Sequence, residues 1–420
     1  MPNERVEAMY WIETPSGVAD AAEAMADEQS SGTFVDVPGE TNELRERHGA
    51  TVERIEERGS TEQPSLPGSI SPSNAQSPTY TQAEVVISYP LANIGASLPN
   101  LLTTVGGNLF ELQELSGIRL VDVDVPDSLA REYPGPQFGI DRTREILDVW
   151  ERPIIGTIIK PNVGLSPEET ADRVETVVEA GVDFVKDDEL LANPPYSPVE
   201  DRIVEVMSVV DAHRDRTGTE VMYACNITGD VDEMLELSDC ITDAGGNCVM
   251  VSVNSVGLAG VRKLRRECDL PIHGHRNGWG GLSRCPQLGF DYGVFQKLYR
   301  LAGVDHLHVN GLRNKFAESN ESVVASAQAC QTPIVDEDDT AMPVFSSRQW
   351  AGQAHDTYEA LGNTDLMYLA GGGILGHPDG PAAGVAHIRQ GWDAALRGVP
   401  LEEYAQTCEE LATAIEYYER

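Results

Sequence analysis

Lysine is the residue this chain nearly does without. Five lysines (Lys160, Lys186, Lys263, Lys297 and Lys315) stand against 25 arginines. A chain that has shed its surface lysines should keep those whose chemistry arginine cannot perform: nucleophilic attack, proton transfer or carbamate formation. Long apolar runs are missing too, and no signal-like segment opens the chain, so nothing points to membrane insertion or secretion. The seven cysteines (Cys225, Cys240, Cys248, Cys268, Cys285, Cys330 and Cys408) form no CxxC pair and are odd in number. That argues against a disulfide or zinc framework and suits reduced thiols in a cytoplasmic protein. Positive charge is scarce: 30 basic residues against 68 acidic ones leave a formal charge of −38. Such a surface repels nucleic acid and anionic membranes, so neither is an expected partner. The acidity is dispersed rather than gathered in a tail, which suggests adaptation to a salt-rich, halophilic cytoplasm. An unfolding midpoint that fell on adding KCl would refute that hypothesis.

At 420 residues the chain is too long for one small core and predicts two or three domains. Up to about residue 145, strands are expected at Val6–Glu13, Gly32–Val37, Glu84–Tyr89 and Ile118–Val125, with a helix at Val18–Asp27. Gly59–Thr81, rich in Ser, Pro and Gln, reads as an exposed loop. From about residue 150 a rhythm sets in. Apolar, β-branched runs recur at Ile154–Lys160, Asp183–Glu189, Val221–Thr228, Asn247–Asn254, Pro271–Arg276, His306–Gly311, Met342–Ser347 and Leu366–Gly373. Helical patterns such as Pro167–Ala180 and Glu200–His213 fill the intervals. Eight strand–helix repeats are the arithmetic of a (β/α)8 barrel. The expected fold is a ferredoxin-like α+β domain, residues 1–145, followed by a (β/α)8 barrel with C-terminal helices, residues 146–420.

Chemistry gathers at the strand ends. The second barrel strand finishes in Lys186-Asp187-Asp188-Glu189. Such an end is either a solvated terminus or a site for a hard cation, which prefers carboxylate oxygens. A lysine among these acids must be paired, deprotonated or chemically modified. The other ends carry Lys160-Pro161-Asn162, His273-Gly274-His275-Arg276, His306 with His308 and then Lys315, Ser346-Ser347-Arg348, and Gly371-Gly372-Gly373. In a barrel these ends share one rim, and the loops after strands 7 and 8 commonly hold phosphate. The glycines read either as a flexible turn or as a backbone cradle for an anion. Glu28–Phe34 and Gly106–Phe110, earlier in the chain, read as turns or as parts of a site.

Four stretches together resemble the ribulose-bisphosphate carboxylase (RuBisCO) large subunit: Gly156–Pro161, Phe184–Glu189, His273–Arg276 and Gly371–Pro378. Their order and spacing fit as well. The resemblance implies a homodimer in which the amino-terminal domain of one subunit completes the other's active site. It implies that CO2 carbamylates Lys186, giving a Mg2+ ligand alongside Asp188 and Glu189. Lys160 would transfer protons at an enediolate, and His275 would sit near the reacting carbons. Arg276 and His308 would clamp one phosphate. Ser346, Gly371, Gly372 and Thr33 would make the opposite anion or hydroxyl contacts. Glu28 and Asn108 would come from the neighbouring subunit, and Lys315 would hold a carboxylate.

Departures from the carboxylases point to a RuBisCO-like protein. Asn162 replaces the second lysine of a Lys-Pro-Lys run, and the mobile loop reads Asn314-Lys315-Phe316-Ala317-Glu318 instead of Gly-Lys-Leu-Glu-Gly. Ser346-Ser347-Arg348 replaces Ser-Gly-Gly, and Phe34 replaces a tryptophan. His275–Gly280 and His306–Gly311 are most similar to apiose-pathway members. The expected substrate is therefore a phosphorylated sugar acid, 3-oxo-isoapionate 4-phosphate, and the expected reaction its decarboxylation. A methionine-salvage enolase or isomerase, a true carboxylase and an inactive sugar-phosphate binder are the alternatives.

Overall fold

The alternation over Val6–Glu13 becomes β1 (Arg5–Thr14), which buries Val6, Ala8, Tyr10 and Ile12 completely. The structure, a computed structural model, describes residues 4–32, 37–69 and 79–419. Within them the chain makes two compact units, 4–133 with 278–298 and 134–277 with 299–419. In the first unit β2 (Thr51–Thr61), β3 (Tyr80–Pro90) and β4 (Gly117–Asp124) join β1 in one sheet. β1 pairs antiparallel with β3 and β4, and β2 with β3. The helix Val18–Glu28 buries Val18, Ala21, Ala22, Met25 and Ala26.

The loop expected from Gly59 begins later than the sequence suggests. Gly59, Ser60 and Thr61 belong to β2 and pair with Gln82, Thr81 and Tyr80. β2 buries no residue of its sequence TVERIEERGST, so it carries no apolar face to read. Of the strand expected at Gly32–Val37, residues 33–36 lie outside the described residues.

In chain order the next strands are β5 (Ile154–Ile158), β6 (Phe184–Lys186), β7 (Met222–Asn226), β8 (Cys248–Ser252) and β9 (Ile272–His275). β10 (Leu288–Phe290) belongs to the first unit, where it pairs in parallel with β4. β11 (His306–His308), β12 (Met342–Phe345) and β13 (Met367–Leu369) follow. Without β10, β5 to β13 close a parallel barrel in the order β11-β12-β13-β5-β6-β7-β8-β9. These are the eight expected strands with their ends trimmed. The last is corrected most, because Gly371–Leu375 is a short helix and no part of β13.

Ile154, Phe184, Met222, Met250, Val344 and Leu369 share one buried cluster in the barrel. Each such side chain contributes about 1.5–3 kcal/mol by leaving water. Carboxylates tie the opposite, N-terminal strand ends. Asp183, before β6, accepts from Arg152 at 2.5 and 2.9 Å and from the Ile155 N–H at 2.8 Å. Asp305, before β11, accepts from Arg265 at 3.0 Å and from the N–H groups of Phe138, Gly139 and Ile272. Stability devices thus sit at one end of the barrel and free chemistry at the other.

Three histidines run through the interior in a hydrogen-bonded line. Thr143 Oγ1 lies 2.9 Å from His306 Nε2, and His306 Nδ1 lies 3.4 Å from His273 Nδ1. His273 Nε2 is 2.8 Å from His308 Nε2, and His308 Nδ1 is 3.1 Å from Ser346 Oγ. Burial brings the His306 pKa down to about 3; burial, reinforced by neighbouring cationic groups, holds His273 and His308 well below the imidazole range. Above the unfolded pKa of about 6.5 neither state binds these protons. Below it the unfolded chain does and the folded chain does not, so each histidine removes about 1.4 kcal/mol of stability per pH unit. We expect the urea midpoint to fall steadily from about pH 6.5 towards pH 4. His306→Gln should flatten that fall by one histidine's share; an unchanged slope would sink the argument.

Candidate active site

β6 delivers Lys186 to the barrel mouth, level with Ile158 of β5 and Ala224 of β7. Its side chain is 1% exposed, its Nζ donates to the Asp187 carbonyl at 2.6 Å, and Glu189 Oε2 stands 3.8 Å away. Burial pushes the amine's pKa down, against the pull of Glu189, Asp188 and Asp187. A lysine so placed gives up its proton more readily than an exposed one.

The three acids after Lys186 divide their work. Asp187 is buried and turned away from the mouth: it accepts from Arg202 at 3.2 Å, from the Asn226 N–H at 2.9 Å and from the Tyr223 hydroxyl. It braces β6 against the helix Val199–Thr217, which carries Arg202. Asp188 accepts from Lys160 Nζ at 2.6 Å, and Lys160 also donates to Asn162 Oδ1 at 2.9 Å. Glu189 stands 3.5 Å from His275 Nε2. Burial raises the Glu189 pKa, but His275 and Lys186 outweigh it and leave the carboxyl below its usual range. Burial and Lys186 bring His275 down to about 4, with Glu189 opposing, so its imidazole is neutral at neutral pH.

Among the described residues no group of three His, Cys, Asp or Glu side chains is arranged to hold a metal ion. With Asp187 turned away, the mouth offers the carboxylates of Asp188 and Glu189 and the amines of Lys160 and Lys186. This donor set fits a hard cation such as Mg2+ on one condition: the amine of Lys186 must become an anionic oxygen ligand.

The remaining expected residues fall into distinct places. Arg276, just past β9, is ion-paired with Glu318, and His308 belongs to the histidine line. Ser346, expected opposite that pair, has its hydroxyl against His308 and so stands on the Arg276–His308 side. Lys315 holds its ammonium 5.3 Å from the Phe316 ring, and its backbone N–H reaches Ser347 Oγ at 3.5 Å. In the first unit Asn108 Nδ2 donates to Glu28 Oε1 at 3.2 Å, so two spots 80 residues apart meet. Thr33 and Phe34 lie outside the described residues.

The glycines differ from one another. A Cβ on Gly373 would lie 2.4 Å from the Gln349 carbonyl, whereas one on Gly372 would meet nothing within 4 Å. The Tyr418 hydroxyl lies 3.0 Å from the carbonyl oxygens of both Gly372 and Gly373, a contact that nothing in the sequence announced. Beside them is a cavity of about 820 Å³ whose lining includes Arg313, Arg348, Trp350 and Tyr418. Ser347 and Arg348 have φ values of 71° and 60°, the left-handed region glycine favours. Two residues with side chains thus hold a backbone shape that glycine would adopt without strain. Arg348→Gly should relieve about 1 kcal/mol of backbone strain and weaken binding of a phosphorylated substrate about tenfold. Thermal unfolding and calorimetric titration would check the two opposite signs.

Known proteins resemble this chain along nearly its whole length. The N-terminal domain model of the ribulose bisphosphate carboxylase large chain matches residues 3–129, and its catalytic domain model matches residues 139–418. The chain is 52% identical over 417 residues to a 3-oxo-isoapionate-4-phosphate transcarboxylase/hydrolase of Xanthobacter autotrophicus, covering 99% of this chain and 100% of that one. It is 46% identical over 408 residues to a 3-oxo-isoapionate-4-phosphate decarboxylase of Rhizobium etli, covering 97% of each. The crystal structure of a rubisco-like protein from Burkholderia fungorum superposes with a TM-score of 0.92 at 46% identity, over 99% of this chain and 100% of that one. A dimeric archaeal Rubisco from Hyperthermus butylicus superposes with a TM-score of 0.83 at 30% identity, over 99% and 96%.

Proposed function

We propose a reaction for this chain on one premise: it belongs to the ribulose bisphosphate carboxylase large-chain family. The reaction is a carboxy-lyase step, the decarboxylation of 3-oxo-isoapionate 4-phosphate. The observation that carries it is the buried Lys186, set among acids at the barrel mouth with Lys160 2.6 Å from Asp188. In this reading CO2 adds to the free amine of Lys186, an N–C bond forms and a proton leaves, giving a carbamate. The carbamate, Asp188 and Glu189 would hold Mg2+, which when bound would supply positive charge where the keto oxygen becomes negative.

The chain's own groups do the rest. The bond between the carboxylate carbon and its neighbour breaks, CO2 leaves, and the electron pair passes into an enediolate. Lys160, a cation held by Asp188 and Asn162, donates a proton to the carbon that lost CO2. His275, a neutral imidazole, is placed to accept a hydroxyl proton. Lys315 steadies the departing carboxylate. The Gly371–Gly372 backbone and Arg348 hold the phosphate. The working unit is a homodimer or a larger assembly, with Glu28 and Asn108 serving the neighbouring copy, and it works in a salt-rich cytoplasm.

The 52% identity to the Xanthobacter enzyme favours a second reading, in which the carboxyl carbon is transferred or retained instead of released. Substrate labelled in the carboxyl carbon separates the two, assayed with Mg2+ and bicarbonate in concentrated KCl. Labelled CO2 is the expected product. Label retained in an acid product would replace decarboxylation with the second reading. Fixation of labelled CO2 onto ribulose bisphosphate in a parallel tube would overturn both.

A further inference from the structure

We propose that Glu318 fits this enzyme to substrates with a single phosphate and excludes bisphosphates, by filling the anion subsite at Arg276. The inference deepens the sugar-acid phosphate reading above and rests on it. Arg276 lies just past β9 and is 9% exposed. A guanidinium there, forked and permanently charged, is a receptor for carboxylate or phosphate. The chain supplies the anion itself. Glu318, with a side chain 13% exposed, is ion-paired with Arg276, whose Nη1 lies 3.5 Å from Oε1 and whose Nη2 meets Oε2 more closely.

Further donors hold that carboxylate in place. Asn310 Nδ2 donates to Oε2 at 2.5 Å, and Ser322 Oγ donates to Oε1 at 2.9 Å. Asn310 is buried and has a φ of 64°, a left-handed conformation that asparagine adopts more readily than most residues.

A phosphate arriving at Arg276 meets a carboxylate of its own sign, already satisfied by three partners. It must displace Glu318 or lie beside it, and both are unfavourable in a site this sheltered. A hydroxymethyl end meets no repulsion and finds hydrogen-bond acceptors. The substrate's single phosphate therefore goes to the glycine end, where Arg348 lies.

The test is calorimetric titration of the wild type, Glu318→Ala and Glu318→Gln, in Mg2+ and bicarbonate, with a pentitol 5-phosphate and a pentitol 1,5-bisphosphate. Neither ligand reacts, so the readout stands even if no CO2 is released from the proposed substrate. Both variants should bind the bisphosphate at least about tenfold tighter than the wild type does, with the monophosphate changed less than about threefold. Adding Arg276→Ala to Glu318→Ala should cancel the gain. Glu318→Gln keeps the size of the side chain and guards against a fold lost in the alanine variant. Unchanged bisphosphate affinity in both variants would overturn the proposal. So would a wild type that already binds the bisphosphate more tightly than the monophosphate.

Discussion

Replacing Lys186 with methionine should lower CO2 release at least about 10³-fold and leave a folded barrel. Methionine matches the lysine stem in length and suits a position 1% exposed between β5 and β7, so the strand end keeps its packing. What disappears is the amine. Without it the mouth retains the carboxylates of Asp188 and Glu189, with Lys160 competing for Asp188 at 2.6 Å. Calorimetry should show Mg2+ affinity falling by about 10- to 100-fold or more, the scale of a lost metal-site group. In the wild type, pre-incubation with bicarbonate and Mg2+ should raise activity, and in Lys186→Met it should do nothing. Near-wild-type turnover in the variant would remove the carbamate from the mechanism.

Lys160→Met should cost roughly 10²- to 10⁴-fold in turnover, the range for a lost proton-transfer group. Its effect on Mg2+ should have the opposite sign. Lys160 sits on Asp188, one of the proposed metal ligands, and its charge works against a cation there. Removing it frees the carboxylate, so Mg2+ should bind more tightly while the chemistry slows. A variant that lost turnover and Mg2+ affinity together would mark Lys160 as structural support. The two lysines stand 26 positions apart in sequence, and the pair of titrations assigns them different work.

Much of this was legible in the sequence because barrel strands advertise themselves. Their residues are apolar on both faces, so runs such as Ile154–Ile158 and Met222–Asn226 stand out without any alternation. β2 is almost wholly solvent-facing and did not stand out, and β10 is only three residues long. At the site, residue types were legible and directions were not. Lys186, Asp187, Asp188 and Glu189 look alike as a run of charges, yet Asp187 turns to Arg202 on a helix. The signal existed: strand side chains alternate, so Asp187 must face away from Lys186 and Asp188. Glu318 lay in a loop already singled out for Lys315, and only folding shows that it meets Arg276, 42 residues earlier. Tyr418 gave no local sign of its contact with the glycines.

The line of histidines has a polarity, and one carbonyl sets it. Thr143 Oγ1 donates its only hydrogen to the Gly139 carbonyl at 2.5 Å, so it must accept from the Nε2–H of His306. A neutral imidazole has one hydrogen, which leaves His306 Nδ1 bare to receive the Nδ1–H of His273. His273 Nε2 is then bare and receives the Nε2–H of His308. The vacant Nδ1 of His308 takes the hydrogen of Ser346. Each tautomer follows from the one before, and the serine at the far end is left with lone pairs alone. Whatever reaches Ser346 from the mouth must bring its own proton, as a sugar hydroxyl does and a fully ionised phosphate does not.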